Sequence, residues 1–258
     1  MMNLKDWKIT TPQEEGFFEI VSPTSNDCQA LYFYRLNLAK GNTYNLDSGA
    51  LEMNAALIKG KAKIKSDLLD DSIEKLDSFY IPGQTKVKIS AEDDSIFYIG
   101  GAICEGKGEQ FLRKFNLELP LGEIHQIHGS GVAEREVFFT LNPEISASRL
   151  ICGYTWGKIG GWTSWPPHQH EEHLEEIYCY FDMPQSNYGF HISYLETGKI
   201  SDSEVHVVKE GDVVLAPKGY HPTVATPKTQ NIYFWILAAL DSNSRRYDLA
   251  IPDPNFTK

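Results

Sequence analysis

The stretch SWPPHQHEEHLEEIYCYF, residues 164–181, carries the reading of this chain. His168 and His170 stand two residues apart, and residues i and i+2 of an extended strand point to the same face, so both imidazoles can reach one cation. A bend at the polar EEHL would return the chain and bring a carboxylate beside them. The run EIYCYF then reads as a strand that begins at Glu176, and alternation turns Glu176, Tyr178 and Tyr180 to one face. Spacing from His170 favours Glu175 instead; we take Glu176 as the ligand and leave Glu175 open. His221, in the later Gly-Tyr-His-Pro turn, supplies a fourth ligand if the sheet closes on itself. Three imidazoles and one carboxylate are harder donors than thiolates and suit zinc, manganese, iron or nickel. A lone His-x-His is common in polar loops. The ordered set of His-x-His, a Glu opening a strand and a later Pro-x-x-x-His is what points to a metal.

Outward from this stretch the chain is a succession of short runs rich in Val, Ile, Tyr and Phe, broken by Gly, Pro, Asn and Asp. REVFFTL, RLICGYTW, YGFHISYL, EVHVVK, DVVLAP and NIYFWILAAL are examples, and the rhythm is that of an all-β barrel or sandwich. Helical spacing is found only in short pieces such as SDLLDDSIEKLDS, residues 66–78, which reads equally well as a polar loop. No Pro-rich or low-complexity linker divides the chain, but a weak repeat does. LAPKGYHPTVATPKTQNIYFWI, residues 215–236, and YIPGQTKVKISAEDDSIFYIG, residues 80–100, share a strand end, a Pro-Gly turn and a closing aromatic strand. Aligning Pro82 with Pro217 sets Lys86 opposite His221. Two tandem barrels are expected, residues 1–130 without metal ligands and 131–258 with the metal.

Composition narrows the partners. With 24 Lys and Arg against 35 Asp and Glu the net charge is −11, and no basic stripe is present, which argues against nucleic acid or an anionic membrane surface. No stretch has the apolar length of a membrane span, and the N-terminus lacks an apolar signal core, so a cytoplasmic protein is expected. Cys28, Cys104, Cys152 and Cys179 are scattered without a Cys-x-x-Cys pair and read as reduced, buried thiols. A homo-oligomer is compatible with all of this.

At these residues the chain resembles the cupin superfamily, whose first motif is His-x-His followed by Glu and whose second supplies a His after a Pro/Gly turn. More narrowly, WTSWPPHQHEEHLEEIYCYFDMPQ, GDVVLAPKGYHPTVATP and the ending RRYDLAIPDP resemble the 5-deoxy-glucuronate isomerases of myo-inositol catabolism, which are bicupins. They are less closely similar to the 5-keto-4-deoxyuronate isomerases of pectin breakdown. The likeness is firm from about Gly161 to Asp253 and extends to the N-terminal half mainly in length and in its histidine-poor strand pattern. It implies an all-β bicupin of two double-stranded β-helix (jelly-roll) barrels and one divalent ion, zinc first, with manganese or iron as alternatives. The ligands it implies are His168, His170, Glu176 and His221. One extra residue before that Glu departs from the pectin-pathway spacing and keeps Glu175 in play.

The reaction implied is the conversion of the aldose acid 5-deoxy-glucuronate into 5-dehydro-2-deoxy-gluconate. A cation on the C1 and C2 oxygens would polarise the carbonyl and acidify the C2 proton. Candidates to carry that proton to C1 are Glu175, Tyr178 and Tyr220, while a hydride shift would need none of them. A carboxylate substrate entering a protein of charge −11 needs a local cation. Lys218 and Arg245 are the first candidates, with Arg246 and Arg149 behind them. Trp162 and Trp165 could wall the pocket. His125 and His128 lack a following carboxylate strand and read as structural, and His191 and His206 as facing core or solvent. A cupin dioxygenase and a non-catalytic sugar-acid-binding bicupin are the rival functions. No serine-hydrolase, P-loop or dinucleotide fingerprint is present.

Overall fold

The computed structural model describes residues 3–257, and over them the chain is built of β-strands joined by turns and short 3-10 segments. Among these residues no helix is long and apolar enough to cross a membrane. The segment at residues 66–78 is neither helix nor loop at its centre. Asp70–Glu74 is a strand paired with Lys61–Lys65, where Lys61 faces Glu74 at 3.1 Å and Lys63 reaches diagonally to Asp70 at 2.9 Å. Cross-strand charge pairing and the burial of Ile73 outweigh the local helical spacing.

Each half of the chain holds a large sheet that faces a smaller one across a shared core. In the second half, Asp212–Ala216, Leu174–Tyr180, Ile232–Ala239, Leu150–Gly157, Arg135–Leu141 and His125–His128 lie side by side in that order. In the first half Ser78–Ile81, Leu51–Lys59, Ser95–Ile103, Tyr32–Leu38 and Gly16–Val21 follow the same plan. The strands opening at Ser95 and Ile232 hold matching places, as the repeat implied.

One edge strand crosses between the halves. Lys8–Thr10, near the N-terminus, pairs with Asp212–Val214 of the second half, and Phe111–Arg113, just before the second half, pairs with Ser78–Tyr80 of the first. His125–His128 belongs to the second half's sheet. The expected division at 130/131 therefore does not coincide with the sheets.

Alternation on these strands separates two cores. Phe234, Ile236 and Ala238 pack with Ile177, Cys179, Cys152 and Tyr154 in a cluster that also takes Phe33, Ala56, Tyr80 and Tyr98 from the first half. Tyr233, Trp235, Leu237 and Ala239 face the other way, with Tyr178, Tyr180, Val137 and Phe139, into the interior of the second half. A large sheet buried on both faces has no polar side to show, which is why NIYFWILAAL reads as a continuous apolar run. The halves approach closely: a Cβ on Gly100 would lie 2.8 Å from Cγ2 of Ile236.

Two glutamates clasp the halves reciprocally. Glu52, on Leu51–Lys59, accepts the backbone N–H groups of Ser148, Arg149 and Leu150 at 2.5–2.7 Å and the Tyr80 hydroxyl at 2.6 Å. Glu175, on Leu174–Tyr180, accepts those of Gln29, Ala30 and Leu31 at 2.6–3.2 Å. The matched clasps set Met53 in the first half where Glu176 stands in the second. Lys86, at the start of Lys86–Ala91, pairs with Asp47 at 3.3 Å.

Candidate metal centre

His168 sits in the short strand His168–Gln169, which is held in place by Ile251–Pro252 near the C-terminus. The bend expected after it is present: the N–H groups of His173 and Leu174 both bond back to the carbonyl of His170. The chain then enters Leu174–Tyr180 with Glu176 on the inner face. His221 follows the Gly219 turn, whose φ of +69° and tight approach to the Tyr194 carbonyl only glycine meets without strain.

These elements gather His168, His170 and His221 so that one ring nitrogen from each lies within 4.8 Å of the others; this is the one such group of three or more metal-ligating side chains among the described residues. Oε2 of Glu176 is 3.2 Å from Nε2 of both His170 and His221. Ligands about 2.1 Å from a shared ion stand about 3.0–3.4 Å apart at neighbouring positions, so the spacing fits a metal.

The tautomers fit as well. The Nδ1 atoms of His168, His170 and His221 donate to the carbonyls of Pro166, Leu174 and Gly219 at 2.9, 2.8 and 3.1 Å, which leaves each Nε2 as a lone-pair donor. Nε2 of His221 is buried with no hydrogen-bond partner, a cost that a bound cation removes. Burial, with His221 and His170 nearby, pushes the His168 pKa down to about 3, so this ring is neutral at physiological pH. Burial alone would raise the Glu176 carboxyl, but the His170 and His221 rings 3.2 Å away hold it well below the usual range. Tyr178 donates to Oε2 of Glu176 at 2.9 Å, and burial beside that carboxylate keeps the phenol protonated.

The cluster opens into a cavity of about 370 Å³ lined also by Tyr178, Ser164, Trp165, Tyr233, Trp235 and Tyr247. Trp162 reaches it through Trp165, with ring centroids 4.8 Å apart. Other expected site residues fall outside this cavity. Glu175 cannot serve as a base in this cavity, because alternation turns it to the opposite face, where three backbone N–H groups occupy its carboxylate. Tyr220 bonds to Thr197 at 2.8 Å and does not line the cavity. Arg245 donates to the carbonyls of Leu150, Pro143 and Asn142, so its guanidinium ties a loop instead of facing substrate. Lys218 lies in the turn before His221, outside the cavity wall. Arg149 is bound to Glu105 and Arg246 to Asp248.

Several wall residues escaped the sequence reading. Tyr233, Tyr247 and Arg135 come from strands or loops distant in sequence, and His128 lies beside them with its ring against Tyr247. A signal existed for Arg135: it is in phase with Val137 and Phe139 of REVFFTL, which face the inner core. His191 and His206 are both buried.

Fold and site together define an all-β protein of cupin-like fold built around a candidate metal centre. Among solved structures, an IolB-like protein from Salmonella typhimurium LT2 matches with a TM-score of 0.83 at 24% identity, covering 97% of both chains. The oxalate decarboxylase of Lactobacillus farciminis matches at 0.64 and 14% identity, covering 98% of this chain and 89% of its own. The family model described as the KduI/IolB family matches residues 8–257, and the chain belongs to that family. Relatives named 5-deoxy-glucuronate isomerase, from Geobacillus kaustophilus and Geobacillus thermodenitrificans, are 33% and 31% identical. Each alignment covers 88% of this chain and 86–87% of the relative. The chain is thus a member of an isomerase family.

Proposed function

We propose that this protein is a metal-dependent aldose–ketose isomerase of a sugar acid, 5-deoxy-glucuronate going to 5-dehydro-2-deoxy-gluconate in inositol breakdown. The observation that carries the reading is the His168–His170–Glu176–His221 cluster beside an aromatic cavity. It rests as well on relatives named for this reaction that align along nearly the whole chain.

The four side chains would hold one divalent ion, zinc before manganese or iron, which as a Lewis acid would polarise the substrate carbonyl and acidify the neighbouring C–H. The three backbone carbonyls orient the imidazoles, and Tyr178 orients Glu176. Tyr178 stays protonated with its one proton on Glu176, and Tyr233, raised by burial to about 12, stays protonated as well, so its hydroxyl acts as a donor to a substrate oxygen and neither phenol acts as a base. Trp165, Trp235 and Tyr247 exclude bulk water from the reacting carbons.

The wider assignment is a bicupin with a metal-free first barrel, which the common strand order, the reciprocal Glu52 and Glu175 clasps and Met53 at the Glu176 position support. The four unpaired thiols support a reducing compartment such as the cytoplasm. Incubating the metal-loaded protein with 5-deoxy-glucuronate under strict anaerobiosis, with NMR following loss of the aldose signal, tests the function. Equal turnover with and without oxygen is expected. Oxygen-dependent turnover would favour a dioxygenase, and binding without turnover a non-catalytic role.

A further inference from the structure

The cavity has a second pole, opposite in charge to the Glu176 carboxylate. Arg135 opens the strand Arg135–Leu141 and points with Val137 into the cavity, where it is the one lysine or arginine among the described lining residues. Its Nη1 donates to the carbonyls of Ala133 at 3.2 Å and Trp165 at 3.1 Å, which clamps the guanidinium plane. No carboxylate pairs with it, and its Nε and Nη2 have no hydrogen-bond partner among the described residues. The other arginines near this sheet are spent: Arg149 on Glu105, Arg245 on three carbonyls, Arg246 on Asp248.

An arginine without a paired carboxylate in a partly desolvated cavity of a protein with charge −11 attracts an anion from inside, whatever the outer field does. The free Nε and Nη2 edge matches the two oxygens of a carboxylate. Its neighbour does not compete, since burial and Arg135 itself push the His128 pKa down. Tyr233 and Tyr247 line the space between the poles and feel Glu176 and Arg135 with opposite sign.

We propose that Arg135 is the specificity-determining residue that receives the substrate carboxylate, so that the imidazole cluster takes the aldehyde end and neutral aldoses are rejected. The assignment rests on the isomerase reading only for which end of the molecule lies where.

The test is calorimetric titration of the full metal-loaded chain with D-glucuronate and with D-glucose, for wild type, Arg135→Gln and Arg135→Lys, with metal content measured on each. Wild type is expected to prefer the acid by about a hundred-fold, the size expected of a partly buried charge pair. Arg135→Gln should lose that preference to within about three-fold while its metal content stays unchanged. Arg135→Lys should keep a small part of it, since an ammonium cannot make the two-point contact. Should Arg135→Gln misfold, the lysine variant decides, and an undiminished preference there overturns the assignment. So does a wild type without preference, or an Arg135→Gln protein that retains it. An Arg135-dependent preference in a protein that isomerises no uronate would leave this assignment standing and sink the isomerase reading. Turnover with an unchanged preference in the variants would do the reverse.

Discussion

Each imidazole of the cluster is fixed by a different backbone carbonyl, so replacing one ring leaves the other two in place. His168→Ala, His170→Ala and His221→Ala should each lose metal and activity together while circular dichroism stays that of the parent. Full metal occupancy in any of the three would contradict the ligand set. The adjacent glutamates separate by direction. Glu176→Gln should weaken metal affinity by about 10- to 100-fold or more, as disturbed metal sites do. Glu175→Gln should keep the metal and instead lose about 2 kcal/mol of stability, because its amide NH₂ would meet backbone N–H donors that the carboxylate now accepts. In a chain of this size that is a fall in Tm of about 4–8 °C. Equal metal loss in both variants would mean that neither single-ligand picture holds.

At the scale of elements, the two ends of the chain do unequal work. The last strand, Ile251–Pro252, is pinned beside His168 by Asp253, whose buried carboxylate accepts from the Tyr194 hydroxyl, Gly198 N–H and Asn255 N–H, each at 3.0 Å. The segment so held brings Tyr247, Ala250 and Pro252 to the cavity wall. Asp253→Ala should therefore free the tail, raise KM by about ten-fold through loss of the wall and expose the C-terminus to limited proteolysis, with the metal retained. An unchanged KM would show that the tail does not shape the cavity. The first strand, Lys8–Thr10, carries partners for the fully buried Asp212: Lys8 at 3.0 Å and Thr10 at 2.7 Å. Deleting residues 1–11 should cost about 3 kcal/mol by leaving that carboxylate unpaired. The loss should be seen in the second half, as faster hydrogen exchange along Asp212–Ala216.

For the whole molecule, the core between the halves is as continuous as the core within either one. Tyr98 and Phe33 from the first half and Phe234, Tyr154 and Ile236 from the second belong to one buried cluster. Fragments 1–130 and 131–258 should consequently be poorly soluble when made alone and recover a folded, metal-binding protein when made together. A fragment 131–258 that is monomeric, folded and metal-loaded by itself would show that the shared core and the strands Lys8–Thr10 and His125–His128 are dispensable. A bound metal would contribute at the same scale: with free ion at about 100 times its Kd, binding would add about 2.7 kcal/mol to the folded state. A chelator should accordingly lower Tm in the wild type and lower it less in Glu176→Gln.

The ordered donors of residues 164–181 and the later His221 were legible in the sequence because strand alternation is a local property. It placed His168, His170 and Glu176 within reach of one another, and period two assigned Glu176 inward and Glu175 outward. The β rhythm and the repeat around Pro82 and Pro217 were legible for the same reason. Only the tertiary structure decided where the outward face of Glu175 goes: its partners, Gln29, Ala30 and Leu31, lie almost 150 positions earlier in the chain. The choice among arginines was equally hidden. Arg245 and Arg149 are near the motif's strands in sequence but spend their donors on loops, whereas Arg135 reaches the cavity with donors to spare because its strand lies beside Leu150–Gly157 with Arg135 on the inner face. Local periodicity tells which face a side chain takes. What stands opposite that face depends on how the sheets are stacked, and stacking is settled by contacts between residues far apart in the chain.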